Sequence, residues 1–396
     1  MDSESQPMQI LFLSFNVAYK GGATFYRAMH LAQGLACLGH QVTLIASSPG
    51  NMVRFSQKVK KGFRLVEAPG IFPTRWRHGY DPYETLRRVK WVSQRTFEIV
   101  HAFDSRPVVI YPALFAHRKG SRLIMDWCDW FGRGGAAEQR ANPILRTVMR
   151  YADTYYEEAF RRRADATTVI NTALEQRALH LGIPSATIYR LPNGADTENI
   201  RPIDQQAAQT ALGLSGNAPL LGYVGALFPG DARLLSEAFL MVQEAKPQAR
   251  LLIIGNPKVN LPPQEGVIKT GFVTYEQLNL YLASCDILLL PLTDNLANRG
   301  RWPSKIGDYF AAGRPTVACA VGDMPQVLEE TGAGLTTDPA VQPFAAGILR
   351  LLDDPSLRFQ MGKKARHAAE SRYNWQTLVN QVENLYLKVL RNPHSH

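Results

Sequence analysis

Cysteine is scarce in this chain of 396 residues, and the few cysteines lie far apart. They are Cys37, Cys128, Cys285 and Cys319, with no CxxC pair and no neighbouring histidine cluster. This spacing argues against a structural zinc site or a disulfide scaffold, and it is typical of a reducing compartment. A GxGxxG motif after a strand is also missing, which disfavours an NAD-dependent dehydrogenase.

Long apolar runs are missing as well. No uninterrupted apolar stretch reaches the roughly 18–20 residues needed to cross a bilayer, and the first residues, MDSESQP, are acidic where a signal peptide is basic. We therefore expect a cytoplasmic protein.

The net charge of +10 allows phosphorylated ligands or an anionic membrane as partners. Nucleic acid is not expected, because no compact nucleic-acid motif is present.

The first half of the chain alternates between apolar runs and helical patterns. Gln9–Phe15 predicts a buried strand, Thr24–Leu38 a helix after a glycine-containing loop, and Gln41–Ile45 the next strand, which together make a βαβ unit. Further strands are predicted at Phe63–Val66, Phe97–Ala102, Arg122–Asp126, Ala166–Ile170 and Ala186–Leu191, and helices around Tyr83–Arg95, Pro143–Arg163 and Thr172–Leu181.

The polar, turn-rich segment Asn193–Gly216 interrupts this alternation, which then resumes. The later strands are predicted at Leu220–Gly225, Arg250–Gly255, Val267–Thr270, Ile287–Leu290 and Thr316–Ala320, with helices at Arg233–Glu244, Tyr275–Ser284 and Ser304–Ala312. The fold class is therefore α/β, with two doubly wound, Rossmann-like domains that face a cleft. We predict domains at residues 1–200 and 201–373, followed by a C-terminal helix in residues 374–396.

Two loops carry candidate anion-binding residues. The paired glycines Gly21 and Gly22 precede a helix, where backbone N–H groups can approach an anion; a tight turn that merely needs glycine explains them equally well. A second cluster, formed by Arg299, Arg301 and Lys305, precedes or begins the helix after Pro303. It suits a phosphate or diphosphate, with Ser304 as the helix cap and Asp308 placed to accept ribose hydroxyls.

Five segments together resemble the retaining glycosyltransferases of GT-B fold, namely glycosyltransferase family 4, also described as glycosyl transferases group 1. They are Gly21–Ile45, Pro192–Asp196, Tyr223–Gly225, Leu252–Gly255 and Pro303–Pro315 (PSKIGDYFAAGRP). The resemblance implies transfer of a sugar from a nucleotide-diphosphate sugar, with retention, to a glycan, a lipid-linked or a small-molecule acceptor. It implies neither a metal nor another cofactor, because protein cations would neutralise the leaving diphosphate.

The resemblance also assigns roles to individual residues. The donor would bind mainly the C-terminal domain and the acceptor the N-terminal domain, with the last helix packing back on the N-terminal domain. The nucleotide-sugar residues would be Gly21, Gly22, Gly225, Arg299, Arg301, Lys305 and Asp308, and the catalytic residues Lys305, Arg301, His101 and Asp129. For His101, at a strand end, a buried hydrogen-bonding role is the alternative.

The chain departs from the family pattern at the donor site. The first acid of the family's E-x7-E motif would fall near Asn298–Gly300, where there is no carboxylate, and no Arg or Lys follows Gly225 directly. Two other functions therefore stay open. One is a nucleotide-sugar epimerase of the same fold, and the other is a catalytically degenerate binding protein.

Two surface hypotheses complete the sequence analysis. Phe72–His78, followed by Arg87, Arg88, Lys90, Trp91 and Arg95, combines basic and aromatic residues, which suits peripheral contact with an anionic membrane. An ordinary amphipathic helix whose tryptophan packs inward is the alternative. At the C-terminus, Leu378, Val382, Leu385 and Val389 form one apolar helical stripe, and we expect it to pack on the N-terminal domain.

Overall fold

The computed structural model describes residues 6–19, 22–50, 52–73, 78–140, 142–214, 216, 218–257, 259 and 265–391. The chain forms two compact units. The first unit contains Met1–Pro192, Gly300–Trp302 and Trp375–His396, and the second contains Asn193–Arg299 and Pro303–Asn374.

The first unit is built on an eight-stranded sheet. Its strands are β1 (Gln9–Val17), β2 (Gln41–Ser47), β3 (Ser56–Lys60), β4 (Phe63–Ala68), β5 (Ile99–Phe103), β6 (Arg122–Trp127), β7 (Ala166–Val169) and β8 (Ile188–Arg190). Their lateral order is β3-β4-β2-β1-β5-β6-β7-β8, and only β3 runs antiparallel to its neighbour. The order reverses direction between β1 and β5, which is where ligands bind in such sheets.

Helices cover both faces of this sheet. They are α1 (Ala23–Cys37), α2 (Pro82–Ser93), α3 (Pro107–Arg118), α4 (Pro143–Ala159) and α5 (Thr172–His180). Alternate side chains of β1 enter two different cores: Ile10 and Phe12 pack in the core that contains α1, whereas Leu11 and Leu13 pack in the core that contains α3. A strand buried on both faces explains the continuous apolar run in the sequence.

The second unit has an all-parallel, six-stranded sheet with the lateral order β11-β10-β9-β12-β13-β14. Its elements are α6 (Gln205–Ala211), β9 (Leu220–Val224), α7 (Pro229–Ala245), β10 (Arg250–Ile254), β11 (Val267–Lys269), α8 (Tyr275–Ser284), β12 (Ile287–Leu290), α9 (Leu296–Arg299), α10 (Lys305–Ala311), β13 (Thr316–Cys319), α11 (Met324–Thr331), β14 (Gly334–Thr337), α12 (Val341–Asp353) and α13 (Pro355–Ser371). Here the order reverses between β9 and β12. The predicted α/β class with two Rossmann-like sheets is confirmed.

The last helix, α14 (Trp375–Arg391), belongs to the first unit. Its apolar stripe Leu378, Val382, Leu385 and Val389 is buried in the core that contains α1. Two polar contacts add to this packing. The Tyr386 hydroxyl lies 2.7 Å from Nδ1 of a β5 histidine, His101, and Glu383 lies 2.9 Å from Nε2 of His40.

Candidate functional site

The carboxyl ends of the central strands in the second unit meet at two glycine turns. Gly225 follows β9 with φ of 86°, and Gly255 follows β10 with φ of 91°. Their backbones are linked, because the Gly225 N–H donates to the Ile254 carbonyl oxygen at 2.8 Å. The Gly255 N–H donates to the Thr270 hydroxyl at 3.1 Å. Positive φ favours glycine, and both turns lie at the edge where nucleotides bind in this fold.

Helix α10 lies over the point where the strand order reverses. The Tyr309 hydroxyl accepts a hydrogen bond from the Val224 N–H of β9 and donates one to the Leu289 carbonyl oxygen of β12, both at 3.2 Å. One turn earlier, Lys305 Nζ donates to the Tyr223 hydroxyl at 2.9 Å and lies 4.6 Å from the centre of the Tyr223 ring. The lysine ammonium is therefore held at the carboxyl end of β9.

Asp308 is on the same helix, three residues after Lys305. Burial raises the pKa of Asp308 to about 7, and the negative charge of Asp196 raises it further, while the Lys305 ammonium lowers it. Asp196 belongs to Pro192–Asp196, one of the five segments that carry the resemblance to the family. A Cβ added at Gly307 would lie only 3.1 Å from the Gly194 carbonyl oxygen, so glycine permits the close approach of α10 to this segment.

Sequence analysis expected Arg299, Arg301 and Lys305 to form one cluster at the start of α10, and the structure supports this only in part. Arg299, the last residue of α9, forms a bidentate ion pair with Asp294, at 2.5 and 2.6 Å, on the protein surface. Arg301 belongs to the first unit, whereas Lys305 belongs to the second. Ser304 occupies the N-cap position of α10 as predicted, but its backbone is already helical and its side chain makes no capping hydrogen bond.

Sequence analysis missed a buried carboxylate in the second unit. Asp231, in the first turn of α7, accepts hydrogen bonds from the Thr293 N–H at 2.9 Å, the Thr293 hydroxyl at 2.7 Å and Asn298 Nδ2 at 3.0 Å. These bonds fix the loop that precedes α9. Asn298 lies where the family's first acid was expected, and it acts here as a hydrogen-bond donor to an acid from another helix.

In the first unit, the glycine loop is described only in part. Gly21 lies outside the described residues. Gly22 precedes α1 with an ordinary extended backbone, and a Cβ there would meet nothing within 4 Å. The described geometry therefore does not require glycine at position 22, so a role in close approach to a ligand stays a prediction.

His101 lies in the core of the first unit and exposes none of its surface. Besides its contact with Tyr386, its Nε2 lies 3.3 Å from the Thr168 hydroxyl. Burial lowers the pKa of His101 to about 4, against the opposing charge of Asp126, with Arg27 lowering it further. Both ring nitrogens are engaged within the protein, so the structure favours the buried hydrogen-bonding role over direct catalysis.

Two carboxylates follow the central strands of the first unit. Burial raises the pKa of Asp129, in the loop after β6, to about 7, while the Arg301 guanidinium lowers it. Asp104 lies directly after β5 and is not among the site residues expected from the sequence. Its φ of 90° is strained for a residue other than glycine, and burial raises its pKa to about 6, opposed by the positive charge of Arg106. Strain and a perturbed pKa mark Asp104 as a functional candidate.

The predicted membrane-facing helix α2 turns its largest residues inward. Arg88 is fully buried and donates to Glu84 at 2.6 Å, and Trp91 is almost fully buried. Residues 74–77 of the same hypothesis lie outside the described residues. The alternative, an amphipathic helix with its tryptophan inside, therefore describes α2. Among the described residues, no helix is long and apolar enough to cross a bilayer.

The fold and the second unit's β9–α10 geometry define a protein with two Rossmann-like units and a candidate nucleotide site. The chain belongs to the glycosyltransferases described by two family models, Glycosyltransferase Family 4 over residues 21–199 and Glycosyl transferases group 1 over residues 218–354. It therefore has the GT-B fold, and the family supports transfer from nucleotide sugars.

Individual relatives agree with this assignment. The chain is 23% identical, over 85% of its length and 88% of the relative's, to a GDP-mannose-dependent alpha-(1-6)-phosphatidylinositol monomannoside mannosyltransferase from Mycolicibacterium smegmatis. Among solved structures, it is similar to sucrose-phosphate synthase from Thermosynechococcus elongatus, with a TM-score of 0.74, 18% identity and coverage of 97% and 99% of the two chains. It also resembles HepE from Anabaena in complex with UDP-glucose, with a TM-score of 0.71, 15% identity and coverage of 96% and 100%. At these identities the structural matches show the fold alone.

Proposed function

We propose that this protein transfers a sugar from a nucleoside-diphosphate sugar to an acceptor with retention of configuration, using a lysine in place of a metal ion at the leaving group. The observation that carries the proposal is the position of Lys305, whose ammonium is held by Tyr223 at the carboxyl end of β9. This is the edge at which a nucleotide binds in a doubly wound sheet.

The chemistry of the leaving group explains why a cation is needed there. Negative charge grows on the diphosphate as the bond to the sugar breaks, and a positioned ammonium stabilises that charge most in the transition state. The Gly225 turn lies at the same strand end, where a Cβ added at this glycine would meet nothing within 4 Å, so there is space for the diphosphate beside it. Arg299 is assigned no part in this step, because Asp294 already pairs with its guanidinium.

Asp308 is proposed to bind the ribose hydroxyls of the donor. A carboxylate accepts hydrogen bonds from both hydroxyls of a ribose, as the acidic residue of dinucleotide-binding sheets does. The raised pKa of Asp308 predicts that nucleotide binding weakens as the pH falls below about 7, because a protonated carboxyl is a poorer acceptor.

A lipid-linked acceptor is the first to test. The Mycolicibacterium relative is named for its action on a phosphatidylinositol monomannoside, which is a lipid. Glycans and small molecules remain the other acceptor classes, and the donor's sugar and base are to be found by screening.

The experiment begins with a panel of UDP-, GDP- and ADP-sugars, tested for a rise in melting temperature and for nucleotide release with candidate acceptors. In the presence of a chelator, Lys305→Ala should lower kcat/KM by about 30- to 1000-fold, which corresponds to roughly 2–4 kcal/mol of transition-state stabilisation. Lys246→Ala is the matched control, because Lys246 is half-exposed and pairs with Asp353 at the end of α12. Wild-type kcat/KM in Lys305→Ala would refute the assignment.

Further measurements separate the alternatives. Asp308→Asn should weaken nucleotide binding in calorimetry while changing the melting temperature little. Product analysis by NMR distinguishes retention from inversion, and interconversion of the free donor sugar would indicate an epimerase. Nucleotide binding without turnover on any donor and acceptor pair would favour the degenerate binding protein.

A further inference from the structure

A groove of about 580 Å³ opens at the amino ends of the strands in the first unit. It lies between the first residues of β1, β2 and β4 and the connection from α2 to β5, and we call it the amino-edge groove. Pockets that hold small organic molecules have volumes of roughly 300–1,000 Å³. In a doubly wound sheet, substrates bind at the opposite, carboxyl edge, so a ligand of this groove would have another role.

Two arginines line the amino-edge groove, and no aspartate or glutamate among the described residues does. Within the described part of the chain, Arg64 is exposed and makes no hydrogen bond or ion pair. Burial lowers the pKa of Arg95, and the positive charge of Arg64 lowers it further. The two guanidinium groups are therefore close enough to repel each other, and an anion bound between them would relieve that repulsion.

Arg95 is already held in a fixed position. Its guanidinium carbon lies 3.8 Å from the centre of the Trp91 ring, and its Nη1 donates to the Trp91 carbonyl oxygen at 2.8 Å. Lys119 fixes the adjacent backbone by donating to the carbonyl oxygens of Ser93 and Arg95, at 2.8 and 2.9 Å. The bond to Trp91 uses one of the five guanidinium N–H donors, so Arg95 can bind an anion with little further loss of conformational freedom.

Neutral polar groups lie beside the arginines. Thr43 of β2 is the register partner of Arg64 of β4, so both side chains lie on one face of the sheet, and Gln41 lies two residues before Thr43 on the same face. The Thr43 hydroxyl makes no hydrogen bond within the described part of the chain. The Gln41 side-chain oxygen accepts a hydrogen bond from Gln9 at 2.7 Å, which leaves its amide N–H groups to donate. These groups suit the hydroxyls of a ligand.

The acids nearest this edge are bonded to other groups. Glu98 accepts a hydrogen bond from the Gln9 N–H at 2.8 Å, and Glu383 lies 2.9 Å from His40 Nε2. Because His40 Nδ1 accepts from the Met8 N–H at 3.2 Å, the proton of the ring is on Nε2 and is donated to Glu383. Neither acid lines the groove, so the positive charge of its lining is not neutralised from within.

We propose that the amino-edge groove binds a small phosphate monoester that carries hydroxyl groups. The phosphate would lie between Arg64 and Arg95, because planar guanidinium groups bind phosphate oxygens with paired hydrogen bonds and two cations match a dianion. The hydroxyls would bind Thr43 and Gln41. The ligand would be an effector rather than a donor or an acceptor, and the proposal does not rest on sugar transfer.

The test is titration calorimetry of the full chain with glucose 1-phosphate, inorganic phosphate and glucose. Glucose 1-phosphate should bind, inorganic phosphate should bind more weakly, and glucose should not bind. Arg64→Gln and Arg95→Gln should each weaken glucose 1-phosphate binding by at least about tenfold, because each removes a charge-assisted hydrogen bond. Thr43→Val, which keeps the shape of the side chain, should weaken binding of glucose 1-phosphate and leave that of inorganic phosphate unchanged.

Lys90→Gln and Arg118→Gln are the matched controls, because both residues are exposed cations of the first unit outside the groove lining. They should bind glucose 1-phosphate as the wild type does, and all variants should keep the wild-type melting temperature. Absence of binding to the wild type would overturn the proposal, and so would equal affinities for the ester and inorganic phosphate. Equal losses in the controls and in Arg64→Gln would indicate unspecific attraction and refute it too. Loss of binding in Lys305→Ala but not in Arg95→Gln would place the ligand at the nucleotide site instead.

Discussion

Helices α4 and α14 have the same length and similar amphipathic patterns, yet they are placed in opposite ways in the first unit. Each has 17 residues and one apolar stripe. Helix α14 buries its stripe in the core that contains α1, whereas α4 exposes its stripe and buries Asp153 and Glu157. Helical periodicity finds both helices, but it does not determine which face packs against the protein.

The reason lies in the size of the competing effects. Four exposed apolar side chains form the stripe of α4, namely Ile144, Val148, Tyr151 and Tyr155. Burying them would contribute roughly 6–12 kcal/mol at ~1.5–3 kcal/mol each. On the inner face, Asp153 pairs with the buried Arg106 at 3.0 Å and Glu157 with the buried Arg177 at 3.2 Å. Removing both carboxylates from these arginines would cost roughly 6–10 kcal/mol at ~3–5 kcal/mol each. Because the two sums overlap, the choice of face depends on partners that are distant in sequence. Helix α14 has fewer buried polar groups that need partners, and its apolar stripe is the face that packs against the protein.

The largest expected effect tests the polar face of α4. Asp153→Ala should lower the free energy of unfolding by about 3–5 kcal/mol, because it leaves the buried Arg106 guanidinium and the Tyr80 hydroxyl without their acceptor. Urea unfolding measures the change. Glu158→Ala, on the same helix but half-exposed, is the control and should cost less than about 1 kcal/mol. Equal losses in the two variants would show that the inner face does not orient α4.

The second effect tests the apolar face of α14. Leu385→Ala should cost about 2–5 kcal/mol, because it opens a cavity in the core that contains α1. Leu145→Ala makes the same change on α4, where the side chain is 44% exposed, and should cost much less. If chemical unfolding gave the same loss for both leucines, the contrast between the two helices would be wrong.

Most strands could be predicted because they are buried on both faces and continuously apolar. Helix α3 was missed, since its sequence PVVIYPALFAHR contains β-branched residues and an internal Pro112. Pro112 has no N–H to offer the Val108 carbonyl four residues earlier. In the structure Arg88 of α2 donates to that carbonyl at 3.1 Å. A hydrogen bond that another helix supplies cannot be predicted from the local sequence pattern.

The candidate site shows the same division between local and distant effects. The spacing of Lys305 and Asp308 within one helical turn could be predicted from the sequence. Their positions at the strand ends depend on Tyr223 and Tyr309, which bond across elements far apart in the chain. The pairing of Arg299 with Asp294 is local, and a carboxylate five residues away was a signal that sequence analysis overlooked.

A smaller, pH-dependent effect tests the contact between α14 and His101. The pKa of His101 is lowered to about 4 in the folded protein from an ordinary value near 6.5, so the ring is neutral when folded and takes up a proton on unfolding in acid. The contribution of neutral His101 to the free energy of unfolding is complete above about pH 6.5 and declines as the pH falls toward 4. The loss of unfolding free energy between pH 7 and pH 5 from this residue is about 2 kcal/mol.

The measurement compares wild type with His101→Gln by urea unfolding across this pH range, because other groups titrate there too. Burial raises the pKa of Asp104 and Asp129, so their effects have the opposite sign, favouring folding at lower pH, and they cancel in the comparison. The wild type should lose stability relative to His101→Gln as the pH falls. A difference that does not change with pH would mean that His101 titrates alike in both states.

The smallest expected effect completes the comparison. Val148→Ser on α4 should change the free energy of unfolding by no more than about 0.5 kcal/mol, because Val148 is largely exposed in the folded and unfolded states alike. Val382→Ser makes the same substitution on α14, where the side chain is buried against α1, and there it should cost several times more. Measured by urea unfolding of the full chain, this pair uses one residue type on two helices of one unit. If Val148→Ser were as costly as Val382→Ser, the α4 stripe would be buried in solution, and the contrast between the two helices would be wrong.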